Sequence, residues 1–179
     1  SAGRDQRLDL ALVGDGATFS LLVDGRSYDV VADVDRDVAF IESVIFQTPI
    51  REFDRSRFMW RRQHRWFDWS TDGCSAPLVG GEGRSFNFVA ACRRHDFGYR
   101  NLKLLDQRYN CSDAQPGTVC SVTSWTYGRF WNSTQRQRID EQFNRDMLEY
   151  CSSRRRSFRV RCEAWAFAYF KSVRTIGGP

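Results

Sequence analysis

The segment CRRHDFGYR, residues 92–100, places one of the chain's two histidines, His95, beside the carboxylate of Asp96. If the segment is helical, Cys92, His95, Asp96 and Tyr99 follow an i, i+3, i+4, i+7 spacing and share one face. A neutral histidine can accept a proton near pH 7, and a disulfide one turn earlier would fix the ring. The alternative is that His95 is a hydrogen-bonded core histidine and Asp96 an exposed helix acid.

Four segments together resemble the secreted phospholipase A2 family of bacteria and fungi. The segment FDWSTDGCS, residues 67–75, resembles the calcium-binding loop, and CRRHDFGYRN, residues 92–101, resembles the catalytic helix. Arg138-Ile139-Asp140 matches the place where the family carries an aspartate facing the histidine, and AWAFAYFK, residues 164–171, matches the terminal segment. The resemblance extends over roughly residues 34–177.

The resemblance implies calcium-dependent hydrolysis of the sn-2 ester of glycerophospholipids, releasing a fatty acid and a lysophospholipid. His95 would be the general base, and Asp140 would orient and stabilise its ring. Ca²⁺ prefers oxygen ligands, which the Asp72 carboxylate, the Gly73 carbonyl and Asp96, directly or through water, would supply. The expected partner is phospholipid at a membrane or micelle interface, with no nucleic acid.

Composition indicates a folded protein, which we expect to be a monomer. The chain has 179 residues, 41% of them apolar, with six Trp and fourteen Phe, which suffices for one domain with a hydrophobic core. No apolar run is long enough to span a bilayer. No signal peptide is visible at Ser1, so we expect a mature or trimmed form.

The chain contains six cysteines, and their spacing alone leaves 15 pairings open. The family resemblance implies two of these pairings and leaves a third: Cys74–Cys92, Cys151–Cys162 and Cys111–Cys120. An even cysteine number in a chain of this size is typical of a secreted, disulfide-bonded protein. The sequons at Asn110 and Asn132 fit a glycoprotein on that route.

Periodicity divides the chain into two parts. Residues 8–31 alternate apolar and polar positions around two Asp-Gly pairs, at 15–16 and 24–25, which predicts a three-stranded meander. The resemblance does not cover this stretch, so residues 1–33 are predicted to be a β-hairpin extension of unknown role. Residues 34–179 are predicted to form a phospholipase A2-like helical domain. The expected fold is therefore mainly α, a disulfide-bonded helical core with a small N-terminal β meander.

Within the helical part, apolar spacing of three and four residues predicts each element. The first helix has a stripe through Ile41 and Ile45, with Asp35 or Asp37 as its cap. Thr48 is predicted to cap a second helix that begins after Pro49. The remaining predictions are a loop at 70–86, a long helix over about 86–104, a helix with a stripe from Ile139 to Tyr150, and a last helix over 160–174.

Five arginines lie between Cys151 and Cys162, in a chain of net charge +5. Their segment is predicted to be a solvated loop, or alternatively a surface that attracts lipid headgroups or nucleic acid. Three further alternatives stay open at this point. Glu82, in a glycine-rich stretch, is a possible extra metal ligand. The whole chain could be a catalytically silent lipid- or protein-binding module of this fold, or a secreted cationic nuclease.

Overall fold

The computed structural model describes residues 8–13, 18–23, 26–31, 33–74, 86–111 and 126–176. In these ranges three strands precede five α-helices, and a π-helical turn follows the first helix. The elements are β1 (Leu8–Val13), β2 (Thr18–Val23), β3 (Arg26–Val31), α1 (Val34–Glu42), the π-helical turn (Ser43–Gln47), α2 (Ile50–Gln63), α3 (Val89–Tyr109), α4 (Ser133–Ser152) and α5 (Arg156–Ile176).

The N-terminal strands form one antiparallel sheet in the order β1-β2-β3. Leu10 pairs with Leu21, and Leu21 pairs in turn with Tyr28, so three of the alternating apolar positions lie in register across the sheet. Both Asp-Gly pairs that predicted the turns lie outside the described residues. The strand backbones therefore follow the arrangement expected of a meander.

The body of the protein is helical, as predicted, with α3 at its centre. Helix α3 contacts α1, the π-helical turn, α2 and α4, while α5 packs on α4. One group of buried side chains, including Phe53, Phe97 and Ile139, joins α1, α2, α3 and α4. A second group, including Phe143 and Met147, joins α4 to α5 and to the start of α3. Both groups lie against α3, so the central helix is held in place from several sides.

Two predicted helix caps are wrong. Helix α1 is capped by Asp33, whose side chain accepts from the Arg36 amide at 3.0 Å, and not by Asp35 or Asp37. Asp37 is instead buried, and its carboxylate accepts hydrogen bonds from Trp66 and Tyr109. Thr48 does not cap α2 either, since its hydroxyl donates to the Ser43 carbonyl at 2.9 Å and α2 has no side-chain cap.

Two predicted helix ranges also differ from the structure. Helix α3 begins at Val89 and continues to Tyr109, five residues beyond the expected end at 104. Helix α5 begins at Arg156, so three of the five clustered arginines lie on a helix and not in a loop. Their side chains are nevertheless exposed, as a solvated segment requires. The predicted loop at 70–86 lies mostly outside the described residues.

Two of the implied disulfides are confirmed. Cys74–Cys92 joins the segment before α3 to its first turn, with 5.3 Å between the Cα atoms. Cys151–Cys162 joins the end of α4 to α5, with 5.5 Å between the Cα atoms. The third pairing involves Cys120, which lies outside the described residues. Across the part of the chain that the structure describes, no helix has the length and hydropathy needed to cross a membrane.

Gly98 marks the closest approach of α3 to its neighbours. A Cβ atom at this position would lie 3.0 Å from Ile45 Cδ1 and 3.1 Å from Ile139 Cδ1. Both isoleucines are fully buried, so their side chains have little room to move away. The helix-propensity gain of about 1 kcal/mol from alanine is smaller than the usual cost of overpacking, about 1–3 kcal/mol.

We therefore expect Gly98→Ala to lower the free energy of unfolding by up to about 2 kcal/mol, measured by denaturant titration. Adding Ile139→Val removes Cδ1, one of the three side-chain atoms that the new Cβ would meet, so the double variant should lose less stability than the two single variants together. A single variant about 1 kcal/mol more stable than the wild type, the gain that helix propensity alone would give, would contradict the close approach.

Candidate active site

His95 contacts Asp140, the carboxylate predicted to face it. The ring nitrogen Nε2 lies 2.9 Å from Asp140 Oδ1, although the two residues are 45 positions apart in the sequence. Rings of Tyr99 and Phe143 flank the imidazole, with centroid distances of 4.3 and 4.8 Å. The ring is thus held between α3 and α4 by one polar contact and two aromatic side chains.

The partner carboxylate, Asp140, is completely buried. Its Oδ1 accepts a second hydrogen bond, from the Tyr99 hydroxyl at 2.7 Å. Burial raises the pKa of Tyr99, and the hydrogen bond to Asp140 raises it further. Tyr99 therefore stays protonated and remains a donor. Since a carboxylate only accepts, Nε2 of His95 carries the hydrogen and Nδ1 has the lone pair.

The candidate metal residues are next to this pair. The Asp96 carboxylate accepts a hydrogen bond from Thr71 at 2.5 Å, which joins α3 to the segment that contains Asp72 and Gly73. Gly73 has φ 71°, in the left-handed region, and its amide donates to the Thr71 hydroxyl at 3.0 Å. Asp72 is exposed, with its Oδ1 3.6 Å from the guanidinium of Arg100.

Burial raises the pKa of Asp96 to about 6, and the negative charge of Asp72 adds to this rise. The two carboxylates are therefore close enough to repel each other, and a cation between them would relieve that repulsion. In the part of the chain that is described, no three His, Cys, Asp or Glu side chains cluster as a metal site. The predicted set of two carboxylates and one carbonyl has the oxygen chemistry that calcium prefers, and it fits a weak site.

Asn101 fixes this loop to α3, a role that the sequence did not reveal. Its side chain accepts from the Asp68 amide and donates to the Asp68 carbonyl, both at 2.8 Å. Trp69 packs on Phe97 with a ring centroid distance of 4.4 Å. Asn101 lies inside α3 and is fully buried. The loop is therefore fixed to α3 at Asp68, four residues before Asp72.

Two further buried carboxylates, for which we predicted no role, each join parts of the helical body that are distant in the sequence. Asp146 pairs with Arg94, whose Nε donates at 2.8 Å, so α4 is joined to α3 one residue before His95. Asp106 is fully buried and accepts from four consecutive backbone amides, those of residues 128–131. Neither interaction leaves a local signal in the sequence, because each joins residues more than 20 positions apart.

The second histidine, His64, lies away from the His95–Asp140 pair. It ends α2 and is partly buried, with its ring centroid 4.0 Å from that of Phe40. Burial lowers the pKa of His64. Of the aromatic residues beside the loop, Phe67 and Trp69 are buried in the core, whereas Trp66 is about half exposed.

A cleft of about 600 Å³ opens beside the first turn of α3. Its walls include Ile50 of α2, Phe88 before α3 and Tyr150 of α4. The described residues that line it include neither His95 nor Asp140. Among the described residues, this cleft therefore does not open onto the His95–Asp140 pair.

Comparison with known proteins gives one family and two curated relatives. A family model described as prokaryotic phospholipase A2 matches residues 41–115 and 123–177, which is most of the chain. A protein named secretory phospholipase A2 from Arthroderma benhamiae is 30% identical over 113 residues, covering 62% of this chain and 60% of the relative. A second protein of that name, from Beauveria bassiana, is 31% identical over 136 residues, covering 75% of this chain and 55% of the relative.

Proposed function

The chain belongs to the prokaryotic phospholipase A2 family, and from this premise we propose that it hydrolyses the sn-2 ester of glycerophospholipids with calcium as its cofactor. The observation that carries the proposal is the 2.9 Å contact between His95 Nε2 and Asp140 Oδ1. It places a buried carboxylate behind an imidazole, which is the arrangement a general base requires. The chain matches only 60% and 55% of the lengths of the two relatives, so the activity of the whole protein is part of this proposal.

In the proposed reaction His95 removes a proton from a water molecule through Nδ1, because Nε2 is bonded to Asp140. The water oxygen attacks the ester carbonyl, and the same imidazole returns the proton to the leaving alcohol. Asp140 keeps Nε2 protonated and stabilises the imidazolium that forms between these steps. Tyr99 donates to the same oxygen, Oδ1, and so limits the movement of the carboxylate.

Asp72, Gly73 and Asp96 would hold calcium. When bound, the ion polarises the ester carbonyl and stabilises the negative charge that develops on its oxygen. Thr71 holds Asp96 in place by its hydrogen bond, and Arg100 partly neutralises Asp72 in the absence of a cation. The other candidate ligand, Glu82, lies outside the described residues.

Regiospecific substrates test this function directly. Phosphatidylcholine labelled separately at the sn-1 and sn-2 acyl chains should release only the sn-2 label, and only when calcium is present. A parallel digestion of single- and double-stranded nucleic acid tests the nuclease alternative. Release of neither acyl chain under any metal condition would favour the silent binding module.

The proposed site of action is extracellular. Both relatives are named secretory, and the two described disulfides are stable in an oxidising compartment. Glycosylation would change the hydrogen bonds of both sequon asparagines. The Asn110 side-chain amide donates to the Thr126 carbonyl at 2.7 Å, and the Asn132 side chain caps α4. A glycan at either position would replace one of the hydrogens on that amide nitrogen.

A lipid-facing surface is proposed around the start of α5. The clustered arginines there are exposed, and Phe158 and Val160, which alternate with them, are 52% and 71% exposed. Arg154 and Arg155 also line a cleft of about 390 Å³ that includes Phe158. Apolar side chains surrounded by arginines suit an anionic lipid surface.

Replacing Arg154, Arg155 and Arg156 with Gln should weaken binding to anionic vesicles about 100-fold at low salt, since each arginine contributes about 1 kcal/mol. Hydrolysis of dispersed short-chain lipid should be unchanged. The matched control is the same substitution of three exposed arginines of the α2 region, Arg61, Arg62 and Arg65. Equal weakening by both triple variants would mean that net charge alone, and not this surface, governs binding.

A further inference from the structure

Asp140 has one oxygen whose surroundings the reaction does not explain. Oδ1 is occupied by His95 and Tyr99, whereas Oδ2 is buried and accepts no hydrogen bond from the described residues. A buried carboxylate oxygen in this condition is costly unless a positive charge is close to it.

Two guanidinium groups approach Oδ2 from different helices. Arg136 Nε, on α4, lies 3.8 Å away, and Arg174 Nη1, on α5, lies 3.6 Å away. Their side chains are 17% and 38% exposed, so Arg136 is the more enclosed of the two. Both positive charges compensate the buried carboxylate, but at these distances neither bonds to it.

Arg136 uses its donors on other groups around the candidate active site. Its Nε donates to the Tyr99 hydroxyl at 3.3 Å. Its Nη2 donates to the carbonyls of Val173 and Arg174, at 3.1 and 3.0 Å. Helix α5 ends at Ile176, so these carbonyls lie in its last turn, where backbone acceptors have no partner within the helix. One side chain thus caps α5 and holds the tyrosine that bonds to Asp140.

We propose that Arg136 is a positioning residue that joins the last turn of α5 to Tyr99 and Asp140, and thereby keeps His95 in its reactive orientation. This inference rests on the proposed function for its catalytic consequence. Its structural content, that Arg136 supports the Tyr99–Asp140–His95 chain, is independent of the reaction. The fixed fork of guanidinium donors is essential to the role, because a single ammonium group cannot hold the hydroxyl and both carbonyls in the same geometry.

Three variants test the proposal: Arg136→Gln, Arg136→Lys and the control Arg138→Gln. Arg138 lies on the same helix but pairs with Glu42, at 2.8 Å, instead of with the site. We expect kcat to fall about 10- to 100-fold in both Arg136 variants, the scale of a misplaced catalytic group, while KM changes by less than about 3-fold. Arg138→Gln should keep the wild-type kcat, and all three variants should stay folded.

The second readout is nitrogen-15 NMR of the histidine rings at a fixed alkaline pH. The chain has only two histidines, so the His95 signals can be assigned with a His64→Asn variant. Wild type and Arg138→Gln should show His95 almost entirely with its hydrogen on Nε2. Both Arg136 variants should show a mixture of the two tautomers, because Asp140 is then less firmly placed.

The outcomes separate this inference from the proposed function. If the wild type releases no fatty acid, the proposed function fails, and the tautomer measurement still decides the inference. An Arg136→Gln variant with the tautomer of the wild type would overturn the inference, whatever its activity. Recovery of both kcat and tautomer in Arg136→Lys would also overturn it, because charge alone would then be sufficient.

Discussion

His95→Asn should retain the fold and lose about 10²–10⁴-fold of its sn-2 hydrolysis, the contribution expected of a general base. The asparagine amide cannot accept a proton near neutral pH, so the attacking water is no longer activated. Asp140 keeps its hydrogen bond from Tyr99, and the aromatic rings beside His95 remain in place. The loss should therefore be in kcat, measured with dispersed short-chain lipid under saturating calcium.

The matched control for this variant is His64→Asn. His64 is the other histidine of the chain and packs against Phe40 at the end of α2, away from Asp140. It should keep the activity of the wild type, apart from any loss that follows from lower stability. Circular dichroism of both variants checks the fold. If His95→Asn retained more than about a tenth of the activity, general-base catalysis by His95 would be ruled out.

The sequence predicted the residues that meet in the site better than it predicted the residues that hold them in place. His95 and Asp140 lie 45 positions apart, and only the family resemblance indicated that they meet. The same resemblance implied the Cys74–Cys92 and Cys151–Cys162 disulfides, which spacing alone could not select. Motifs carry such information because the residues that perform chemistry recur at fixed places in a pattern.

The residues that hold the site in place were missed because they act through hydrogen bonds to backbone groups that are distant in the sequence. Asn101 binds both backbone groups of Asp68, and Asp106 binds amides more than 20 residues away. Neither interaction leaves a periodic or local signal in the sequence. Arg136 is a similar case: its spacing from Asp140 predicts only an i, i+4 ion pair, while its hydrogen bonds lead to α3 and α5.

Local rules failed at helix ends for a related reason. Asp35 and Asp37 both suit a helix start, and the sequence could not exclude either of them. In the structure the Asp37 carboxylate accepts hydrogen bonds from Trp66 and Tyr109, which are distant in the sequence. Asp33 caps α1 instead. Similarly, α3 continues past its expected end because Leu105 and Asp106 are both buried by tertiary contacts. At these helix ends, tertiary contacts therefore outweighed the local preferences of the residues for capping or ending a helix.

Removal of calcium should abolish hydrolysis, and its return should restore it. The predicted ligands Asp72, Gly73 and Asp96 supply few protein oxygens, so we expect a dissociation constant in the weak range of about 10⁻⁴–10⁻³ M. Magnesium should restore activity poorly, because it requires a regular octahedral shell and gives up its water reluctantly. Calorimetric titration measures the affinity, and fatty-acid release in chelator followed by excess calcium measures the reversal.

Asp72→Asn tests the metal site without a chelator. The carboxylate of Asp72 is exposed and lies near Arg100, so the substitution should leave the fold unchanged. Its loss should weaken calcium binding at least about 10-fold and raise the calcium concentration needed for half-maximal activity, because an amide is a poorer ligand than a carboxylate for a hard cation. Asp54→Asn, which removes an exposed acid that pairs with Arg93 instead, should change neither quantity. Full activity of the wild type in excess chelator would exclude calcium as the cofactor, and the close approach of Asp72 to Asp96 would then need a purely structural explanation.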